Sequence, residues 1–450
     1  MDMVHIDLLL EILRRLPPRS LAVSRCACTA WRAAIDHHRL LRADLLPLSV
    51  DAAVYDERSS EEPARLFGRP STARHITSNL EYLADNRLDV RGVQDHCNGL
   101  FLTHGWMDEF RVKVVNIATR QWAPLPLLPC ACSWPPAMCG RCRNNRYLVY
   151  DPTISPHYKV LYIPRILADT TCAEWPPTPY VMYVFSSRTD CWKETSFVRE
   201  GAAAGTADDV NSCSYDPDEH MHYAAYWQGS LYVPSPRIKD DFLLRINLSS
   251  DKYQLIKLPK GRVESHFRLD KWKKGVYCVM DTNVRCTFRV WFLHESCGLT
   301  DWVLKNEINL EPAFTKQDWH YGPWIPQPPE HIQLLLKSNI NLKLADEYNE
   351  AVAKDGFDWD SDDEDLVSIT DWPKKCDAYI EGPYCLGFHP YKEIVFFNER
   401  GVSPCSMVAY HLNSSRIRYL GNMRSRCHYS MEEVSFAYTP CWMMDLPGSN

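Results

Sequence analysis

The sequence lacks any run of eighteen apolar residues, which leaves no helix able to span a bilayer. It also lacks an excess of positive charge. Fifty Lys and Arg stand against 57 Asp and Glu, giving a net charge of −7. Phosphate binding wants a basic face, so nucleic acid is excluded as the main partner. A secretory signal is missing too, because Asp2, Glu11, Arg14 and Arg15 interrupt the leucines at the N-terminus. There is no nucleophile elbow, phosphate-cradling loop, dinucleotide fingerprint or His-Glu-x-x-His helix. The sixteen histidines are scattered, and His220 and His222, alternating in "DEHMHYAAYW", read as surface residues of a strand start. No residue stands out as catalytic and no cofactor is expected.

What is present points to an interaction protein of more than one part. A chain of 450 residues is too long for one small core and predicts two or three units. Its 18 cysteines mostly sit singly in apolar stretches, as at Cys278, Cys286, Cys385 and Cys441. Without a secretory signal, these read as reduced thiols in the cytoplasm or nucleus. The 31 prolines and 15 tryptophans predict many short strands joined by turns, with large aromatics between them.

The N-terminal stretch differs from all that follows. In "DLLLEILRRL", Leu8, Leu9, Ile12, Leu13 and Leu16 recur at helical spacing, with Asp7 as the expected cap. Pro17 and Pro18 end that helix, and Pro18 can open a second short one through Leu21. "TAWRAAID" predicts a third helix, with Trp31 and Ile35 on one face and Thr29 as its cap. Three helices in about forty residues bury little surface, so a partner is implied for what they leave exposed.

These residues resemble an F-box, the adaptor-binding module of cullin-based ubiquitin ligases. The matching features are the Leu-Leu-x-Glu-Ile-Leu helix, Leu16-Pro17 followed by Ser20-Leu21, the Cys28-x-x-Trp31-Arg32 signature and Ile35. The resemblance implies that Leu9, Ile12, Leu13, Leu16, Pro17 and Leu21 pack on the adaptor or support that face, with Trp31 and Ile35 as core. Where the family usually has Leu-Pro before the first helix, this chain has Val4-His5.

Beyond residue 45 two short units alternate. One is an apolar strand, a polar turn, an aromatic and often Leu-Pro, as in "VVNIATRQWAPLP" at 114–126 and "RINLSSDKYQLIKLP" at 245–259, with looser copies at 148–164, 184–192 and 408–421. The other puts glycine before an apolar strand, as in "CNGLFLT", "WQGSLYVP" and "KKGVYCVM". Gly229 and Gly275 are separated by roughly the length of one four-stranded propeller blade. The fold class is therefore mainly β with a small α module: an F-box at 1–45, then a divergent β-propeller at 46–446 of about six or seven blades. Residues 311–380 break the rhythm. They read as an insertion, with a helix from about 330 and the acidic run "DGFDWDSDDEDL".

The same region is similar to the F-box-associated domain of large plant F-box families. "DHCNGLFL", "VVNIATRQWAPLP", "VYDPTISPHYKVLYIP", "LRINLSSDKYQLIKLP" and "SFAYTPCW" match its successive landmarks, the last being similar to grass members in particular. The resemblance implies a domain that recruits proteins for ubiquitination.

One cluster offers metal chemistry. Cys130, Cys132, Cys139 and Cys142 fall within "CACSWPPAMCGRC", but only Cys139-x-x-Cys142 has zinc-knuckle spacing, and a proline-rich loop with free thiols is the favoured reading. Asp358, Asp360 and Asp362 start like a calcium loop, yet Asp363 stands where glycine is needed and Ile369 where glutamate is. Ser361, followed by Asp362, Asp363 and Glu364, suits an acidophilic kinase. The expectation is a non-catalytic substrate receptor that binds an adaptor, through it a cullin, and a target protein. The alternatives are a propeller enzyme or small-ligand sensor with an incidental helical leader, and an F-box scaffold outside any ligase. Convergent carboxylates or histidines at the ring's centre would favour the enzyme or sensor.

Overall fold

The computed structural model describes residues 3–16, 21, 24, 27–38, 40, 50, 52–57, 65–68, 90–105, 112–128, 146–152, 154–164, 174–206, 208, 224–234, 242–259, 267–272, 274–282, 284–296, 299–314, 324–327, 366–368, 381–390, 392–400, 405–423, 433–441 and 446. Helices occur near the N-terminus: α1 (Met3–Arg15) and α2 (Thr29–His37), with the single turn α3 (Glu311–Phe314) far along the chain. Leu21, Ser24 and Asp208 are also helical, and the rest of the regular structure among the described residues is β.

The helix α1 begins at Met3, so Asp7 lies inside it rather than at its cap. With Val4-His5 in place of a proline, nothing stops the helix from starting earlier. The cap of α2 is likewise one residue from the expected Thr29. Cys28 Sγ accepts the Trp31 N–H at 3.4 Å, and Cys28 O accepts the Arg32 N–H at 3.0 Å. Leu13, Leu21 and Ile35 form the small buried core, with Leu9, Leu16, Trp31, Ala34 and Leu40 packed on it.

The strands follow as β1 (Ala52–Glu57), β2 (Arg65–Gly68), β3 (Val90–Cys97), β4 (Leu100–Gly105), β5 (Lys113–Asn116), β6 (Gln121–Pro124), β7 (Arg146–Val149), β8 (Lys159–Tyr162) and β9 (Glu174–Trp175). Next come β10 (Tyr180–Ser186), β11 (Cys191–Glu200), β12 (Gly205–Thr206), β13 (Ala225–Trp227), β14 (Ser230–Pro234), β15 (Phe242–Asn247), β16 (Lys252–Lys257), β17 (Phe267–Trp272) and β18 (Gly275–Asp281). The last are β19 (Thr287–Ser296), β20 (Leu299–Asn309), β21 (Ile325–Gln327), β22 (Val367–Ser368), β23 (Glu381–Phe388), β24 (Ile394–Arg400), β25 (Cys405–His411), β26 (Arg416–Met423) and β27 (Glu433–Tyr438).

They assemble as antiparallel meanders: β3–β6, β17–β20, and β23–β26 with β22 added at its outer edge. An eight-stranded sheet contains two more meanders, β7-β8-β10-β11 and β13–β16, joined only where β11 runs parallel to β16. A last sheet, ordered β21-β2-β1-β27, draws on both ends of the chain and on the 311–380 segment. Taking this last sheet as first in the ring, the sheets stack face on face. One apolar cluster joins the first sheet to β3–β6 through Val54, Phe101 and Phe436. Others join β3–β6 to the β7 meander, that to β13–β16, and that to β17–β20. Phe288 and Phe397 lie between β17–β20 and β23–β26. Phe67, Trp324 and Phe396 close the circle between β23–β26 and the first sheet. The architecture is propeller-like.

This packing explains why strands such as β4, β14 and β18 read as unbroken apolar runs. In β4, Leu100 and Leu102 face one neighbouring sheet while Phe101 faces the other. With both faces buried, period-two alternation of polar residues disappears. Each such side chain contributes about 1.5–3 kcal/mol by burial.

The two sequence units are the two kinds of hairpin. Asn98-Gly99 (φ 47° and 84°) and Gln228-Gly229 (45° and 80°) turn β3 into β4 and β13 into β14, the backbone of a type I′ turn. The polar turns recur after the third strand. Asn116 Oδ1 accepts the Ala118 N–H at 3.1 Å, and Asn247 Oδ1 accepts those of Ser249 and Ser250 at 3.0 and 3.1 Å. Arg120, Asp190, Asp251 and Ser415 then take the same positive φ, 52–55°. The aromatic that follows ties sheets together: Trp192 Nε1 donates to Pro126 O at 2.9 Å, and Trp302 Nε1 to Lys257 O at 2.8 Å.

Within 311–380, β21 pairs with β2, β22 pairs with β26, and Trp324 is buried with its main-chain N–H bonded to Leu420 O at 2.8 Å. The expected helix from about 330 and the acidic run lie outside the described residues.

Candidate functional site

In the helical module the apolar stripe divides. Leu13 and Leu21 are fully buried, and Leu9 and Leu16 are half-buried against the same core. Leu8 and Ile12, one turn apart on α1, are each 59% exposed. They form an apolar ridge that the module's own core does not cover. Of the residues singled out in the sequence, Ile12 is therefore on the open face, and Leu9, Leu13, Leu16 and Leu21 support it from behind. Ile35 is wholly buried and Trp31 half-buried beside it. Pro17 lies outside the described residues. Leu8 was in the helical stripe but not among the predicted contacts. A stripe of five apolar positions is too wide for one small core, and that excess was the available signal.

The polar groups of the ring converge on its innermost strands. These are the first strands of the meanders, β3, β7, β13, β17 and β23, with β27 in the remaining sheet. Asp95 on β3 is fully buried and its Oδ2 accepts the Leu148 N–H of β7 at 2.7 Å. Burial pushes its pKa up to about 8, against the pull of surrounding main-chain N–H groups and of Arg268. On β17, Asp270 accepts the Lys271 N–H at 2.7 Å and the Phe388 N–H of β23 at 3.1 Å. Burial raises its pKa as well, and Arg268 again opposes the shift. The close approach needs Gly387, where a Cβ would sit 3.1 Å from Asp270 Oδ2. His96 stacks on Phe436 with centroids 3.8 Å apart, and its pKa is held well below normal by burial and then by Arg268 and Lys271. Each carboxylate thus stitches one inner strand to the next. The signal was polar residues inside apolar strands, "GVQDHC" and "FRLDKW", which went unread.

The chain's end fastens the same region. Asn116 Nδ2 donates to Cys441 O at 2.9 Å, Leu446 N–H to Gln121 Oε1 at 3.1 Å, and the Tyr150 hydroxyl lies 3.6 Å from Cys441 Sγ. This gives the "SFAYTPCW" landmark a structural role. Cys97, Cys278, Cys286 and Cys441 are buried, Cys385 is half-buried, and Cys28 and Cys191 are exposed. Cys130, Cys132, Cys139 and Cys142 lie outside the described residues, as do Ser361, Asp358, Asp360, Asp362, His220 and His222. No helix among the described residues is long and apolar enough to cross a membrane.

Solved structures share only a loose likeness with this chain. A protein from Lactobacillus plantarum is 8% identical over 86% of this chain and 99% of its own, with a TM-score of 0.34. A family 117 glycoside hydrolase from the marine bacterium Zobellia galactanivorans is 10% identical over 59% and 68%, at 0.23. TolB from Acinetobacter baumannii is 10% identical over 76% and 81%, at 0.22. Scores this low say nothing of function. No curated protein matches the chain. A family model does match, described as F-box domain, and it falls on the module that holds α1, α2 and the open ridge: the chain carries an F-box at residues 4–43.

Proposed function

We propose that this protein is the substrate-receptor subunit of a cullin-based ubiquitin ligase. Residues 1–45 dock on the adaptor, and residues 46–446 form a six-bladed propeller that holds a target protein, with 311–380 inserted in it. The receptor makes no covalent bond. It raises the local concentration of acceptor lysines beside the transferring enzyme. The reading is of a plant, grass-type F-box protein acting in the cytoplasm or nucleus.

The observation that carries this is the Leu8–Ile12 ridge, open to solvent on an F-box whose other described leucines are buried or half-buried. Leu8→Asp with Ile12→Asp places charge where the partner must exclude water. Two losses of about 2 kcal/mol each predict roughly a thousandfold weaker adaptor binding. Titration of the purified full-length chain with adaptor checks it. Circular dichroism should show the helices intact, and unchanged affinity would refute the docking face.

The inner-strand carboxylates bear on the enzyme or sensor alternative. Asp95 Oδ2 and Asp270 Oδ2 each accept a main-chain N–H of a neighbouring strand, while Asp95 Oδ1 is buried without a hydrogen bond. A structural role accounts for the two bonded oxygens.

A further inference from the structure

The inner strand β3 has one residue more than its partner strand β4. Val93 pairs with Thr103 and Asp95 with Leu102, so Gln94 between them stands opposite no residue. In a regular strand Val93 and Asp95 would share a face. Here Val93 packs in the cluster of the first sheet, and Asp95 reaches the other way, to the Leu148 N–H of β7. The extra residue at this bulge re-aims the side chains beside it.

Three polar atoms are left over at this bulge. Gln94 is 4% exposed, and neither its Oε1 nor its Nε2 has a hydrogen-bond partner. Asp95 is fully buried, and its Oδ1 is unbonded although Oδ2 holds the Leu148 N–H. All three atoms are closed off from water. Buried polar atoms without partners cost free energy, so each needs an account. An ionised carboxylate gives none for Gln94 Oε1, because both oxygens are acceptors. A carboxyl that carries its hydrogen on Oδ1 is a donor, and Oε1 of the neighbouring residue is an acceptor in need of one.

The groups that face Asp95 are compatible with that form. From β7 come Tyr147 and the Leu148 N–H, from β17 Arg268, from β3 Cys97 and the His96 N–H, and from the start of β13 the Ala224 N–H. Burial pushes up Tyr147 and Cys97, which keeps both uncharged, and it holds His96 neutral. Arg268 is the cation acting on Asp95, and it also acts on Asp270, two residues along β17. Of the three N–H groups only that of Leu148 is bonded to the carboxyl. We infer that Asp95 and Gln94 form a proton-held pair at the centre of the ring, in which Asp95 Oδ1 keeps its hydrogen and donates it to the Gln94 side-chain carbonyl while Oδ2 accepts the Leu148 N–H. The pair fixes the bulge and ties it to β7. When the proton leaves to solvent, two acceptor oxygens face each other and the pair is broken. Burial outweighs Arg268 and the N–H groups at Asp95, so this switch acts as pH rises past about 8.

Infrared difference spectra of the full-length chain, taken across the titration of Asp95, test the pair. The carboxyl C=O band that vanishes with rising pH in the parent and is missing from Asp95→Asn reports this residue. Gln94→Met keeps the length of the side chain and removes its carbonyl. The acid dissociation constant of Asp95 should then rise about tenfold, one pH unit, because the protonated form loses its acceptor. The carboxyl band should also move to higher frequency, since its O–H no longer donates. An unchanged constant would overturn the pair, because Gln94 would not touch the carboxyl. A smaller constant would overturn it too, because Gln94 Nε2 would then be donating to the ionised form. If Gln94→Met does not fold, the parent with an isotope label in the glutamine side-chain carbonyl decides. One glutamine band should shift with the midpoint of Asp95 and stay fixed in Asp95→Asn. A parent in which no glutamine band follows that midpoint would refute the inference.

Discussion

The F-box and the ring handle apolar surface in opposite ways. The module hides Leu13, Leu21 and Ile35 and leaves Leu8 and Ile12 in water. In the ring, strands such as β5, β14 and β18 are covered on both faces by neighbouring sheets, and the cycle of clusters returns to its start at Phe67 and Phe396. A closed cycle uses up its own apolar surface, whereas a small helical unit cannot. That difference separates the part built to stay folded from the part built to bind.

The largest effect that sharpens this contrast comes from Leu13→Asp. An unpaired charge at a fully buried position in so small a core should unfold the module outright. The ring should be untouched, because among the described residues none of its apolar clusters includes a residue of α1 or α2. Thermal unfolding followed by calorimetry should show the ring's transition within about 0.5 kcal/mol of the parent. A ring that falls with the module would show that the two are one cooperative unit.

The next effect is on the ring alone. Asp95 holds its proton to about pH 8 when folded and loses it near its ordinary value of 3.8 when unfolded. The stability it supports is complete below about pH 4 and declines as pH rises toward 8, by about 1.4 kcal/mol for each pH unit. Asp95→Asn keeps an oxygen for the Leu148 N–H and removes the titration. Denaturant unfolding should find the variant close to the parent at pH 4 and more stable at pH 8. A parallel pH profile in both proteins would mean that Asp95 is ionised throughout.

The two regions also differ in how well their sequences could be read. The hairpins were legible because Asn-Gly and Asn-x-x-x turns demand particular residues, and those residues recur at 98, 116 and 247. The face of α1 was only half legible. Helical spacing groups Leu8 with Leu13, and only the position of Ile35 decides which is buried. Asp95 and Asp270 were not legible as a pair, because they lie far apart in sequence and only the folded ring brings both within the influence of Arg268. Blade-to-blade order was hidden for a similar reason: both faces are apolar, so no pattern marks which neighbour each face meets. The first sheet was beyond reach of local reading altogether, since β21, β2, β1 and β27 come from distant parts of the chain.

The smallest effect compares two copies of the same turn within the ring. Gly99 and Gly229 have nearly the same φ, 84° and 80°, at the same place in two sheets. An alanine at either position is strained by its backbone alone, by about 1 kcal/mol. At Gly229 nothing lies within 4 Å of the added carbon. At Gly99 it would fall 2.5 Å from Thr439 O and 2.7 Å from Cys441 N, main-chain atoms of the segment that Asn116 also holds. Gly229→Ala should therefore cost only the shared strain. Gly99→Ala should cost about 1–3 kcal/mol more, because it must lift the C-terminal segment and leave Asn116 Nδ2 without its acceptor. Denaturant midpoints of the two variants give the difference. A second readout is hydrogen exchange at the Leu446 amide, which bonds Gln121 Oε1 in the parent and should exchange faster only in Gly99→Ala. Equal costs would mean that the C-terminal segment does not rest on this turn, and that the ring closes through β27 alone.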